Sequence, residues 1–128
     1  MNKALRDPIL LIEDEPSVTA FVRAALERRG YTVVPASSGA EGLERLAETS
    51  FGGVISDIRM PGAVNGAEVH DWIRTHRPEL RQRVILISGD TANGKTQALL
   101  AGSGIPCIEK PFRVQQLISV VESTFGKP

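Results

Sequence analysis

The strongest constraint on this chain is a regular alternation of short apolar runs with stretches of helical spacing. Ile9 to Ile12 is a continuous apolar run between Pro8 and a pair of acids. Runs of this length suit strands buried on both faces of a parallel sheet. Pro16 then opens a helix at a position where its missing N–H does no harm. Val18, Phe21, Val22, Ala25 and Leu26 follow as one apolar stripe. Arg28 and Arg29 fall in the last turn, where the helix dipole favours cations, and Gly30 ends the helix. Tyr31 to Val34 reads as a second strand. A helix from Ser38 to Glu48 follows, with Ala40, Leu43 and Ala47 facing inward. Gly53 to Ser56 is a third strand, ending at Asp57. The turn-rich segment from Arg59 to Gly66 is a loop. Ala67 to His76 reads as a helix with Val69, Trp72 and Ile73 on one face, stopped by Pro78. Val84 to Ile87 is a fourth strand, ending at Ser88. Thr91 to Leu100 makes a poor helix with Gly94 inside it. Ile105 to Ile108 is a fifth strand, leading to Lys110 and Pro111. The final helix carries Val114, Leu117, Ile118, Val121 and Phe125.

Repeated βα units predict a doubly wound α/β fold: a parallel sheet with helices on both faces and right-handed crossovers. The 128 residues fit a single domain, residues 1–128, with a core from about 7 to 125. That length supports a well-buried core without staples. Fifteen basic and fifteen acidic residues cancel, so the basic excess of a nucleic-acid-binding surface is missing. One cysteine forbids an internal disulfide and suits a reducing compartment. No stretch approaches the roughly 20 apolar residues of a membrane span. These features point to a cytoplasmic location without membrane contact.

Open parallel sheets bind ligands beyond the carboxyl ends of their strands. Reactive side chains should therefore follow the last apolar residue of each strand, and they do. Glu13 and Asp14 follow the first strand, Asp57 ends the third, Ser88 ends the fourth and Lys110 follows the fifth. In a 2-1-3-4-5 order the first and third strands are neighbours, about 4.8 Å apart. Glu13, Asp14 and Asp57 then crowd together and repel unless a cation sits between them. Hard oxygen ligands in a partly open site favour Mg²⁺. Ser88 can reach a group attached to Asp57, and Lys110 can span the further strand to neutralise a phosphoryl group. Aspartyl phosphate formation is a known form of covalent catalysis, and phosphoryl transfer asks mainly for positioning and charge neutralisation.

Across nearly its whole length the chain resembles the receiver domain of two-component response regulators. The resemblance rests on the segments ILLIEDEP, GGVISDIRMPG, VILISGD and EKPF, in that order and at those strand ends. It implies a flavodoxin-like (βα)5 fold with strand order 2-1-3-4-5. It implies that Asp57 accepts a phosphoryl group from a phosphohistidine on a partner, a histidine kinase or a histidine phosphotransfer domain. Glu13, Asp14 and Asp57 would bind Mg²⁺ together with the backbone carbonyl of Arg59. Ser88 and Lys110 would hold the phosphoryl oxygens. A cis peptide is expected between Lys110 and Pro111. Arg59 and Asp90 occupy places that tune the phosphoryl lifetime, or are two solvated loop charges. Such a domain is not an enzyme in the ordinary sense, although it promotes its own phosphorylation and dephosphorylation.

The chain also departs from the usual pattern. The first of the acidic pair is Glu13 rather than Asp, and its extra methylene allows binding of the metal through water. Cys107 stands where an aromatic switch residue is common; it reads as a small buried apolar side chain. The loop from Gly62 to Gly66 is one residue longer than the commonest form. The EKPF segment after Gly-Ile-Pro-Cys is similar to receivers attached to hybrid histidine kinases, so a parent histidine kinase is one expectation and a stand-alone receiver the other. The weak fourth helix is either held by tertiary contacts or a labile responsive element. A homodimer through the face of the fourth helix, fifth strand and final helix is the oligomer to expect. A haloacid-dehalogenase-type phosphatase would need an Asp nucleophile where Glu13 stands. A flavodoxin-like redox module would need a phosphate loop where EDEPSVTA is acidic.

Overall fold

The structure is a computed structural model that describes residues 7–58, 64–89 and 104–128. Its strands are β1 (Ile9–Ile12), β2 (Val33–Ala36), β3 (Gly53–Asp57), β4 (Val84–Ser88) and β5 (Cys107–Glu109). All pair in parallel, in the order β2-β1-β3-β4-β5, which is the expected topology. Alternate residues of each strand point to opposite faces. Ile9 and Leu11 of β1, with Ile85 and Ile87 of β4, pack on one face against α1 (Pro16–Arg28) and the C-terminal helix (Val114–Phe125). Leu10, Ile12, Val54 and Leu86 pack on the other face against α2 (Gly39–Glu48) and α3 (Gly66–His76). Burial on both faces is why the strands read as unbroken apolar runs rather than alternating ones.

The helix starts have local causes. Pro16 begins α1, and Gly30 follows it at φ 99, a left-handed conformation that suits glycine. Ser38 caps α2 by accepting from the Glu41 amide at 3.1 Å. Asn65 and Glu68 form a reciprocal capping box at the start of α3, with contacts of 3.0 and 3.3 Å. At the base of the sheet Arg83 ties the C-terminal helix to the β3 entry. Its Nε donates to the Gly52 carbonyl at 2.7 Å, and its terminal nitrogen donates to the Phe125 carbonyl at 2.6 Å.

Several expectations need correction. β2 begins two residues later than the pattern suggested, at Val33, and takes in Pro35. It is an edge strand, where proline's missing donor is tolerated. β5 likewise begins at Cys107 rather than Ile105, because Pro106 precedes it and lends only its carbonyl, to Leu86 N at 2.9 Å. The inward face of α2 is Gly39, Gly42 and Leu46, with Leu43 half-buried, whereas Ala40 and Ala47 are exposed. Phe21 leaves the core stripe and is 40% exposed, its ring tilted against Phe112 at 5.7 Å between centroids. Val114 is also exposed. Trp72 is half-buried and stacks on His76. The Thr91–Leu100 segment and the added loop residue lie at or beyond the limits of the described residues.

Gly42 explains the rotation of α2. A Cβ added there would fall 2.8 Å from Ile12 Cγ1 and closer still to its Cδ1, in a fully buried region. The glycine lets the helix lie directly on β1. Alanine normally stabilises a helix relative to glycine. Here Gly42→Ala is expected to lower stability instead, by about 1–3 kcal/mol, the usual penalty of overpacking a filled core. Urea unfolding of both proteins measures the sign directly.

Candidate functional site

Because the strands are parallel, the residues that end them share one edge of the sheet. Ile12 pairs with Ser56 in the β1–β3 ladder, so the next residues along, Glu13 and Asp57, stand side by side. Asp57 pairs with Ile87, so Ser88 lies one step further out on the neighbouring strand. Lys110 follows β5, and its amide donates to the Ser88 carbonyl at 2.8 Å. Glu13, Asp57 and Ser88 are all buried, with 2%, 5% and 3% of their surface exposed. The expected cis peptide between Lys110 and Pro111 is present.

The Lys110 ammonium is the hub. It donates to Asp57 Oδ2 at 2.8 Å and to Glu15 Oε1 at 3.2 Å, and lies 3.2 Å from Glu13 Oε1. Burial alone would lower the lysine's pKa. The hydrogen bond and charge of Asp57, then the Glu15 hydrogen bond and the Glu13 charge, outweigh it and hold the pKa above its ordinary value. The group is thus a fixed cation.

Glu13, Asp14 and Asp57 each place a carboxylate oxygen within 4.8 Å of the others. Glu13 Oε2 accepts the Glu15 amide at 3.1 Å, but its buried Oε1 makes no hydrogen bond among the described residues. Burial raises the Glu13 pKa to about 7; the Glu15 amide opposes this, the Asp57 charge adds to it, and Lys110 opposes it again. A buried carboxyl oxygen without a hydrogen bond among the described residues, beside two more carboxylates, fits a site for a hard cation. The carbonyl of Arg59, expected as a further ligand, lies outside the described residues, as does Asp90.

Some features that shape the site were missed in the sequence. Ser56 is fully buried, and its hydroxyl donates to the Asp57 carbonyl at 2.9 Å. Gly66 starts α3 so close to the end of β3 that a Cβ would fall 2.7 Å from the Asp57 carbonyl oxygen. Glu15, to which the sequence reading assigned no role, contacts Lys110. Its only sequence signal was its place next to the acidic pair. Cys107 is half-buried against the α2–α3 core, and burial, then the charges of Glu109 and Asp57, push its thiol pKa up. That disfavours the reactive thiolate and agrees with an apolar packing role.

Residues 9–122 match the family model of the response regulator receiver domain. The chain belongs to the response-regulator receiver family. Receiver domains of this family serve two-component signal transduction, in which an aspartate is the phosphoacceptor. The receiver is 32% identical to the response regulator receiver protein CpdR of Brucella abortus, over 89% of this chain and 92% of that protein. It is 34% identical to the sensor kinase CckA of the same organism, over 93% of this chain but only 12% of that much longer protein. Among solved structures it is similar to the signal receiver domain of a histidine kinase from Syntrophus aciditrophicus, with 27% identity, a TM-score of 0.82 and coverage of 93% and 89% of the two chains. Among the described residues no helix is long and apolar enough to cross a membrane.

The raised Glu13 pKa has a testable consequence in the metal-free receiver. Between about pH 4.5 and 7 the folded state keeps a proton on Glu13 that the unfolded chain releases, so this group's contribution to stability falls as pH rises through that window. Glu13→Gln is expected to flatten that slope and to be the more stable protein at pH 8 in chelator, measured by thermal unfolding across pH.

Proposed function

We propose that Asp57 of this receiver is the phosphoacceptor and takes a phosphoryl group from a phosphohistidine on a histidine kinase or a histidine phosphotransfer domain. The observation that carries this reading is the 2.8 Å contact between the Asp57 carboxylate and the Lys110 ammonium, beside two further carboxylates at the carboxyl edge of the sheet. A carboxylate oxygen of Asp57 attacks phosphorus as the donor's P–N bond breaks, and the imidazole leaves with the electron pair. Lys110, already within reach, neutralises charge on the phosphoryl oxygens. The Ser88 hydroxyl, on the next strand, donates to one of them. Water attack on phosphorus later restores the carboxylate.

Mg²⁺ would be held by Glu13, Asp14, Asp57 and the Arg59 carbonyl, and when bound it supplies positive charge beside the transferred group. With its arm fully buried and Oε2 fixed by the Glu15 amide, Glu13 is suited to hold the ion through water. Residues 1–128 act as one domain with a core from about 7 to 125, cytoplasmic and without contacts to membrane or nucleic acid. The likeness to CckA supports a setting beside a histidine kinase. Phosphorylation would alter the surface around β5, which includes the proposed homodimer face; the fourth helix of that face lies outside the described residues.

Incubation with Mg²⁺ and acetyl phosphate is expected to give an acid-stable, hydroxylamine-sensitive adduct on Asp57, located by mass spectrometry. Asp57→Asn removes it. Lys110→Met leaves the adduct possible but slows its formation by about a hundredfold, the typical loss on deleting one preorganised electrostatic contact. An adduct of the same yield in Asp57→Asn sinks the assignment.

A further inference from the structure

Glu15 has no part in the reaction just described, yet its side chain reaches into the site. It is the N-cap residue of α1, but its carboxylate makes no capping hydrogen bond. The shorter Ser, Thr, Asp and Asn side chains are the ones that accept a first-turn amide at this place, and the longer Glu15 arm does not. The main chain of Glu15 is fully engaged instead: its amide donates to Glu13 Oε2, and its carbonyl accepts from Val18 and Thr19 at 3.1 and 3.0 Å. The side chain, 58% exposed, crosses to Lys110 Nζ at 3.2 Å. It stands outside the carboxylate group suited to a cation, which among the described residues comprises Glu13, Asp14 and Asp57.

We infer that Glu15 is a positioning residue that competes with the phosphoryl group for the Lys110 ammonium and so restrains phosphorylation of Asp57. This rests on the phosphoacceptor reading above. An ammonium has three donors. In the resting receiver one goes to Asp57 Oδ2 and one to Glu15 Oε1, with Glu13 Oε1 at 3.2 Å from the same nitrogen. When Asp57 forms its new O–P bond with acetyl phosphate, the donor's P–O bond breaks and acetate leaves with the electron pair. Asp57 now carries a dianionic group in place of a single charge. Lys110 can turn all three donors to that group only by giving up its other partners. Glu13 is fixed by burial and by the Glu15 amide, so the exposed Glu15 carboxylate is the partner that can swing away. Until it does, it occupies a donor and adds a negative charge that repels the incoming phosphate. The main-chain contacts of Glu15 do not depend on its carboxylate, so the effect is separable from folding.

The test compares wild type, Glu15→Gln and Glu15→Ala in acetyl phosphate labelling at saturating Mg²⁺, at low and high ionic strength. Thermal unfolding verifies equal folding, and calorimetry gives the Mg²⁺ affinity of each. Both variants are expected to label about two- to fivefold faster than wild type at low salt, the scale of one exposed ion pair. High salt should narrow the gap, because exposed charges are screened. A rate equal to or below wild type, or a gain that salt does not change, overturns the inference. So does a loss of Mg²⁺ affinity comparable to that of Asp14→Asn, which would make Glu15 a metal ligand. A wild-type protein that fails to label at all refutes the phosphoacceptor reading instead.

Discussion

A carboxylate buried at the end of a strand needs its charge met, and in this receiver the Lys110 ammonium, 2.8 Å away, helps to meet it for Asp57. Everything else in the site follows from where Lys110 can stand. It must come from the far edge of the sheet, across β4, because its stem is the one long enough to span two strands. That placement requires β5 to run parallel to β4 and to end at the same edge. The Lys110 amide, bonded to the Ser88 carbonyl, fixes the start of the reach, and the salt bridge to Asp57 fixes its end. Arg83 secures the opposite end of the sheet, where it holds the C-terminal helix that follows β5.

Among the described residues the cluster holds more carboxylates than cations. Lys110 contacts three carboxylates, and Asp14 stands beside two of them. Buried charges without full compensation are destabilising. Glu13 feels this: burial first, and then the Asp57 charge, raise its pKa to about 7, and its Oε1 has no hydrogen bond among the described residues. A site in this condition gains from a cation and resists further anions. On the proposed reading it needs the first in order to accept the second, which makes metal binding and phosphorylation interdependent.

Where polarity interrupts an apolar strand, the sequence is easy to read. Asp57, Ser88 and Lys110 stand out because the residues before them are buried hydrophobics, and a parallel sheet places all such interruptions on one edge. The topology was legible for the same reason. What escaped was carried by residues with little apolar or chemical signal. Gly39 and Gly42 share the buried face of α2 with Leu46, yet glycine adds nothing to a hydrophobic stripe, so the apolar pattern points to the alanines instead. Both edge strands begin two residues later than their apolar runs, which do not reveal where a ladder begins; before β5, Pro106 lends only its carbonyl. Phe21 looked like core from its spacing, but its partner, Phe112, is 91 positions away by number and unpredictable from helical period.

Glu15 is the instructive case, since its type and place were both visible and its contact was not. An acid at a helix N-terminus has an adequate explanation in the helix dipole. Only the fold brings Lys110 to it. The α1 start then acts on the site through two routes: its amide orients Glu13 and its carboxylate draws on Lys110. Both routes converge on the same ammonium that holds Asp57. The first turn of α1 is therefore part of the electrostatic balance of the proposed phosphorylation site, and any change in the position of that turn changes how firmly Lys110 is held.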